Sequence, residues 1–132
     1  MAALTQKRLT KRAEGPARFT DPVKAGVIIH EGAMTVLDAG FLAPARTAVG
    51  LKVRGVAEAK ADATGLANGA INATTNPGVF SFVNDGTVNR THIGGTAYIV
   101  DDQTVAAADG GGTRSAAGTI THIDADGVWV KI

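Results

Sequence analysis

Apolar and polar residues alternate along much of the chain after residue 22, which is the pattern of β-strands. The longest alternating stretch puts apolar or small residues on one face, namely Val49, Leu51, Val53, Gly55, Ala57, Ala59 and Ala61. The other face is mostly charged, with Val56 as the exception. A period of two predicts a long strand, bent or bulged at Gly55. Because the segment AEAKADA has good helix propensity, a helix there is the alternative.

Shorter apolar runs predict further strands at 26–30, 34–38, 79–83, 97–100, 104–108, 116–123 and 128–132. Turn residues separate them, as at 31–32, 39–40, 84–86, 101–102 and 124–127. The segment 64–77 is rich in Thr, Gly, Asn and Ala and is predicted to be a loop. The pattern predicts an all-β fold, either a small antiparallel β-barrel or a sandwich, with an extended N-terminal arm.

The predicted strands also indicate which side chains should meet in a core or at a subunit contact. These are Val27, Ile29, Leu37, Val53, Phe80, Phe82, Ile99, Val128 and Val130. In the last strand, Val128, Val130 and Ile132 should share one face, with Trp129 and Lys131 on the other.

The composition makes that core a thin one. The chain has 132 residues, enough for one domain, and 45% of them are hydrophobic, but only 5% are aromatic and 17 are glycine. Small residues bury little area each, so the fold should gain from burying more surface against a partner. We therefore expect a symmetric oligomer, a homotrimer first and a dimer second.

Charge divides the chain into a basic arm, residues 1–22, and a β-structured body, residues 23–132. Residues 1–24 hold six basic and two acidic side chains, whereas the remainder is net negative. The Gly15–Pro16 and Asp21–Pro22 pairs favour an extended track, and a short helix over 4–13 stays open. The predicted contact residues of the arm are Lys7, Arg8, Lys11, Arg12 and Arg18.

No residue pattern points to catalysis, a metal or a cofactor. The chain has no cysteine, and its three histidines lack metal-ligand spacing. The Asp124–Gly127 segment begins like a calcium loop, but apolar residues follow at once, so turn chemistry explains it. Neither serine lies in a nucleophile motif. We expect a protein that is not an enzyme and that enters no membrane, since no apolar run reaches about 20 residues and no signal peptide is evident.

Two blocks of sequence carry a family resemblance. The segment AGVIIHEGAMTVLDAGFLAPA, at 25–45, resembles a family of bacteriophage head proteins with an "LDAG" turn followed by proline. The block VFSFVND, with YIVDDQTV and DADGVWV further on, is similar to the continuation in the same proteins. Members are encoded beside the major capsid protein in tailed phages and prophages. The resemblance spans roughly residues 22–132 and does not include the arm.

The resemblance implies a small β-structured subunit that decorates and cements the capsid exterior. The major capsid protein would then be its partner and the outer surface of the virion its location, after assembly in the host cytoplasm. The alternatives are another head or tail subunit, such as a head-completion or tail-tube protein, and a nucleic-acid-binding β-barrel module. Nucleic acid is the less favoured partner, because the body lacks aromatic residues interleaved with basic ones.

Overall fold

The computed structural model describes residues 18–132, which form two β-structured parts around a shared core. The first part contains β1 (Phe19–Pro22), β2 (Ile28–Ile29), β3 (Met34–Asp38), β4 (Phe41–Pro44), β5 (Lys52–Ala57), β6 (Ala61–Asp62) and β7 (Asn72–Asn76). The second contains β8 (Val79–Asn84), β9 (Thr96–Ile99), β10 (Thr104–Ala106), β11 (Ala116–Asp124) and β12 (Gly127–Lys131). One 3-10 turn, Arg90–His92, lies between β8 and β9. The all-β prediction is confirmed.

The first part is a five-stranded antiparallel sheet in the order β1-β7-β5-β3-β4, with β2 and β6 as a separate pair. Its β3–β4 hairpin turns at Ala39 and Gly40, whose φ angles are 50° and 87°. Two positive φ values give the twist that a tight hairpin requires. A parallel bridge between Val23 and Leu42 then joins the two outer strands, which shortens the exposed edges of this sheet.

The second part is a closed barrel in the order β10-β8-β12-β11-β9. The predicted hairpins at 97–108 and 116–132 appear as β9–β10 and β11–β12. One pair departs from the predicted antiparallel arrangement, because β10 runs parallel to β8 at Thr104–Val83 and Val105–Asn84. The chain can make this pair because β9 intervenes and reverses its direction.

The long alternating stretch from 49 to 62 folds as β5 and β6 and contains no helix. Leu51, Gly55 and Ala57 are buried, as their parity predicts, whereas Val49 is 66% exposed. The predicted bulge is present, since Thr35 pairs with Gly55 and Val36 pairs with Val53, which leaves Arg54 as the extra residue. A Cβ on Gly55 would lie 2.7 Å from the Asn76 carbonyl oxygen, so glycine is required there.

Two expectations about boundaries were wrong. The predicted loop at 64–77 contains β7, which lies between β1 and β5. The last four residues of the predicted arm form β1, so the sheet begins at Phe19 and not at Val23. Both segments look polar or irregular in sequence, and both are held as strands by pairing with distant partners.

The core lies between the two parts and binds them together. Met34 and Val36 from the first sheet pack with Phe82, Ile120 and Val130 from the barrel. A second cluster surrounds Val23, Ile29 and Leu42. The side chains predicted for the core are buried or packed against these clusters, and ten of the 23 apolar residues buried within the described range 18–132 are alanines. The core is therefore as thin as the composition indicates.

Candidate interaction surface

Strand β1 joins the basic N-terminal segment to the sheet, and three side-chain contacts hold the strand in place. Arg18 donates a hydrogen bond to the Glu58 carboxylate just before β1 begins. Thr20 and Thr74 share a hydroxyl hydrogen bond of 2.9 Å. Asp21 accepts two hydrogen bonds from Arg54, at 2.7 and 3.1 Å. The point at which the basic segment leaves the body is therefore firmly anchored.

Only one of the five predicted contact residues can be placed. Arg18 is exposed and pairs with a carboxylate of its own chain. Lys7, Arg8, Lys11 and Arg12 lie outside the residues that the structure describes. The structure brings Arg18 to the edge of the first sheet, beside β1, and the other four remain sequence-based predictions.

A second ionic cluster stands near the β3–β4 hairpin. Asp38 accepts hydrogen bonds from Lys24 Nζ at 2.6 Å and from an Arg46 guanidinium nitrogen at 2.8 Å. The hydrogen bond from Lys24, and after it the one from Arg46, holds the pKa of the Asp38 carboxyl below its usual value near 3.8. This cluster joins two cations to one carboxylate and carries a net charge of +1.

In the barrel, by contrast, the carboxylates have few basic partners. Asp85, Asp101, Asp102, Asp124 and Asp126 form no ion pair within residues 18–132. Their turns lie beside the C-terminal part of β8, since Thr104 pairs with Val83 and a Cβ on Gly127 would lie 2.3 Å from the Phe82 carbonyl oxygen. Residues 79–132 carry six acidic and three basic side chains, a net charge of −3.

These aspartates shape turns. Asp124 accepts from the backbone N–H of Asp126 at 2.8 Å, Asp101 from that of Gln103 at 2.9 Å, and Asp85 from Thr87. The indole N–H of Trp129, and after it the Asp126 N–H, lowers the pKa of Asp124. Trp129 Nε1 is buried and has no hydrogen-bond partner of normal geometry within residues 18–132.

The outer face of β8 and β12 carries apolar side chains close to the turns that hold these aspartates. Val79 is 44% and Val83 51% exposed. Trp129 lies opposite Ser81 on the neighbouring strand and stacks on His122, with ring centroids 5.1 Å apart. The alternation in β12 predicted Trp129 and Lys131 on this face, and the structure confirms it. Their position next to exposed valines depends on the pairing of β8 with β12, which the sequence pattern did not indicate.

Within residues 18–132, no group of three or more histidine, aspartate or glutamate side chains is arranged to hold a metal ion. His92 Nδ1 accepts from the Asn89 backbone N–H at 3.0 Å and caps the 3-10 turn.

A cleft of about 350 Å³ beside the β3–β4 hairpin is lined by Leu37, Ala39, Gly40, Gly50 and Lys52. Lys52 is its one ionisable side chain. Residues 18–132 contain no helix of a length and apolarity that would cross a membrane.

In comparisons with protein-family models, curated proteins and solved structures, nothing matches this chain.

Proposed function

We propose that the protein is a structural subunit of a bacteriophage head that decorates and stabilises the shell of major capsid protein from the outside. The observation that carries the proposal is that the quoted sequence blocks occur in a β-structured body that anchors a basic N-terminal segment and leaves surfaces exposed for binding. The LDAG block forms the β3–β4 hairpin, and the DADGVWV block forms the β11–β12 turn and strand.

A shell under pressure from packed DNA is weakest where capsomers meet. A subunit that bridges such a junction adds interface area, and many copies multiply a modest contribution from each. The thin, alanine-rich core favours a subunit that gains stability from its neighbours. The basic segment would face carboxylates of the capsid or of a neighbouring subunit. Exposed ion pairs contribute about 0–1 kcal/mol each, so several must act together.

The test is binding to undecorated capsids by pelleting, at low and high salt. Deleting residues 2–17 should weaken binding and leave the body folded, and the difference from the full-length protein should shrink at high salt, which screens the ionic contacts. A deletion that extends to residue 20 is unsuitable, because it would remove Phe19 and Thr20 from β1. A matched charge variant replaces Lys7, Arg8, Lys11 and Arg12 with glutamine in the full chain.

The control replaces four basic residues of the body, Lys52, Lys60, Arg90 and Lys131, which are exposed and form no ion pair within residues 18–132. It removes the same charge and should bind capsids more tightly than the variant of the basic segment. If full-length protein does not sediment with capsids at all, the capsid proposal is wrong. If the deletion abolishes DNA binding and leaves capsid binding intact, the nucleic-acid alternative is favoured.

A further inference from the structure

Among the strands of residues 18–132, none pairs with one side of β8 over the first half of its length. On its other side β8 pairs with β12 from Val79 to Phe82. Gly78 and Ile132 exchange both backbone hydrogen bonds, which fixes the alternation of the ladder. The N–H and C=O groups of Val79 and Ser81 therefore point away from β12. On that far side β10 pairs only with Val83 and Asn84, so within residues 18–132 the strand edge at 79–81 is unpaired.

The side chains along this edge would suit the docking of an added strand. Val79 and Val83 are about half exposed, and Ser81 between them is exposed and small. A strand added here would form backbone hydrogen bonds with Val79 and Ser81 and would cover the two valines. Strand addition of this kind gains affinity from the backbone and specificity from alternate side chains.

Charge indicates what kind of strand would bind. The turn between β9 and β10 carries Asp101 and Asp102 directly beside Val83, because Gln103 O accepts the hydrogen bond of the Val83 N–H at 2.7 Å. The turns that carry Asp85, Asp124 and Asp126 also lie beside the C-terminal part of β8. An extended segment with several basic residues would meet carboxylates that form no ion pair within residues 18–132, whereas an acidic segment would be repelled.

We propose that this edge binds the basic segment, residues 1–17, of a neighbouring copy of the same chain. Residues 1–17 hold four basic side chains against Glu14, a net charge of +3, and the barrel carries −3. In a strand, alternate residues around Leu9 would face the same side. Lys7, Leu9 and Lys11 would share one side, and Arg8, Thr10 and Arg12 the other. An added strand could therefore place Leu9 against Val79 and one of the flanking lysines level with Ser81, next to the turn that carries Asp101 and Asp102.

Binding between copies is favoured over binding within one chain because the thin core gains from subunit contacts, and cyclic closure satisfies every such edge at once. This proposal rests on the proposed function in that a shell of many copies supplies the neighbouring chains. It identifies the partner of the basic segment as a sister subunit.

The chain has no cysteine, so pairs of single-cysteine variants report the contact directly. Neighbouring strands approach within the Cα distances that a disulfide spans. Leu9→Cys and Thr10→Cys sample both faces of the segment, and each is mixed under oxidising conditions with a full-length Val79→Cys chain. The control partner is Val49→Cys, which is also an exposed valine, at 66%, but lies in the loop between β4 and β5.

We expect disulfide-linked heterodimers with Val79→Cys to form at least about tenfold faster than with Val49→Cys, because docking raises the local thiol concentration. High salt should reduce the difference. Adding Ser81→Pro to the Val79→Cys chain should abolish the excess, since proline removes an outward N–H without touching the β12 ladder. Ser81→Ala should keep it.

Equal rates with Val79→Cys and Val49→Cys, or no cross-linking with either, would overturn the proposal. So would cross-linking confined to a single chain that carries both Leu9→Cys and Val79→Cys at high dilution, because that places the contact within one copy. The measurement uses no capsid. Cross-linking without capsid binding would therefore contradict the proposed function alone, and capsid binding without cross-linking would contradict this inference alone.

Discussion

Arg54 holds Asp21 with two hydrogen bonds, at 2.7 and 3.1 Å, although β7 lies between their strands. The guanidinium also lies 3.8 Å over the ring of Phe19. Arg54 is the extra residue of the β5 bulge, which aims its side chain across β7 to β1. The bulge in β5 thus positions Arg54 to hold β1, the strand that follows the basic segment.

Arg54→Met should destabilise the body by about 1–3 kcal/mol, because it leaves the partly buried Asp21 carboxylate without its two charged donors. Lys52→Met, on the same strand but exposed, is the matched control and should change stability by less than about 0.5 kcal/mol. Urea unfolding followed by circular dichroism measures both. Equal midpoints for the two variants would show that the clamp contributes nothing.

Asp38 should make the body sensitive to acid. Its folded pKa lies below the usual value near 3.8, so its stabilising effect is fully present above that pH and is lost as the pH falls through the folded pKa. Asp38→Asn should be less stable at neutral pH and should lose less further stability below about pH 4. Urea midpoints from pH 7 down to pH 2 test this, and parallel curves for the two proteins would refute it.

Gly127→Ala should destabilise the barrel by more than Gly111→Ala does. Both glycines have positive φ, 126° and 73°, so alanine is strained at either position. At Gly111 the added Cβ meets open space, whereas at Gly127 it meets the Phe82 carbonyl oxygen at 2.3 Å. The excess should be about 1–3 kcal/mol, typical of overpacking. Thermal unfolding of both variants gives the comparison, and a larger loss for Gly111→Ala would be the opposite result.

The assembled protein should be a symmetric oligomer, a trimer first and a dimer second. The reason is the small area that an alanine-rich core buries within one chain. Mass measurement in solution and imaging of decorated particles both report the symmetry. A monomer on the particle that touches no sister subunit is the outcome that this prediction does not allow.

Local pattern in the sequence determined most of the strands. The Ala39–Gly40 turn, the β9–β10 hairpin and the faces of β12 follow from alternation and turn chemistry, which act between residues close in the chain. The bulge beside Gly55 was also visible as a small residue within an alternating run. For the candidate surface, the sequence supplied the basic residues and the outward position of Trp129.

Tertiary structure alone decided the rest. The polar segment Asn72–Asn76 is a strand because β1 and β5 flank it, and nothing in its own residues requires this. The parallel β8–β10 pair, and the edge at Val79–Ser81 that has no strand partner among residues 18–132, depend on which strands meet when the barrel closes. The partner of Arg18 is 40 residues away. Such pairings join residues distant in the chain, and their free energy depends on the whole fold, so no local pattern encodes them.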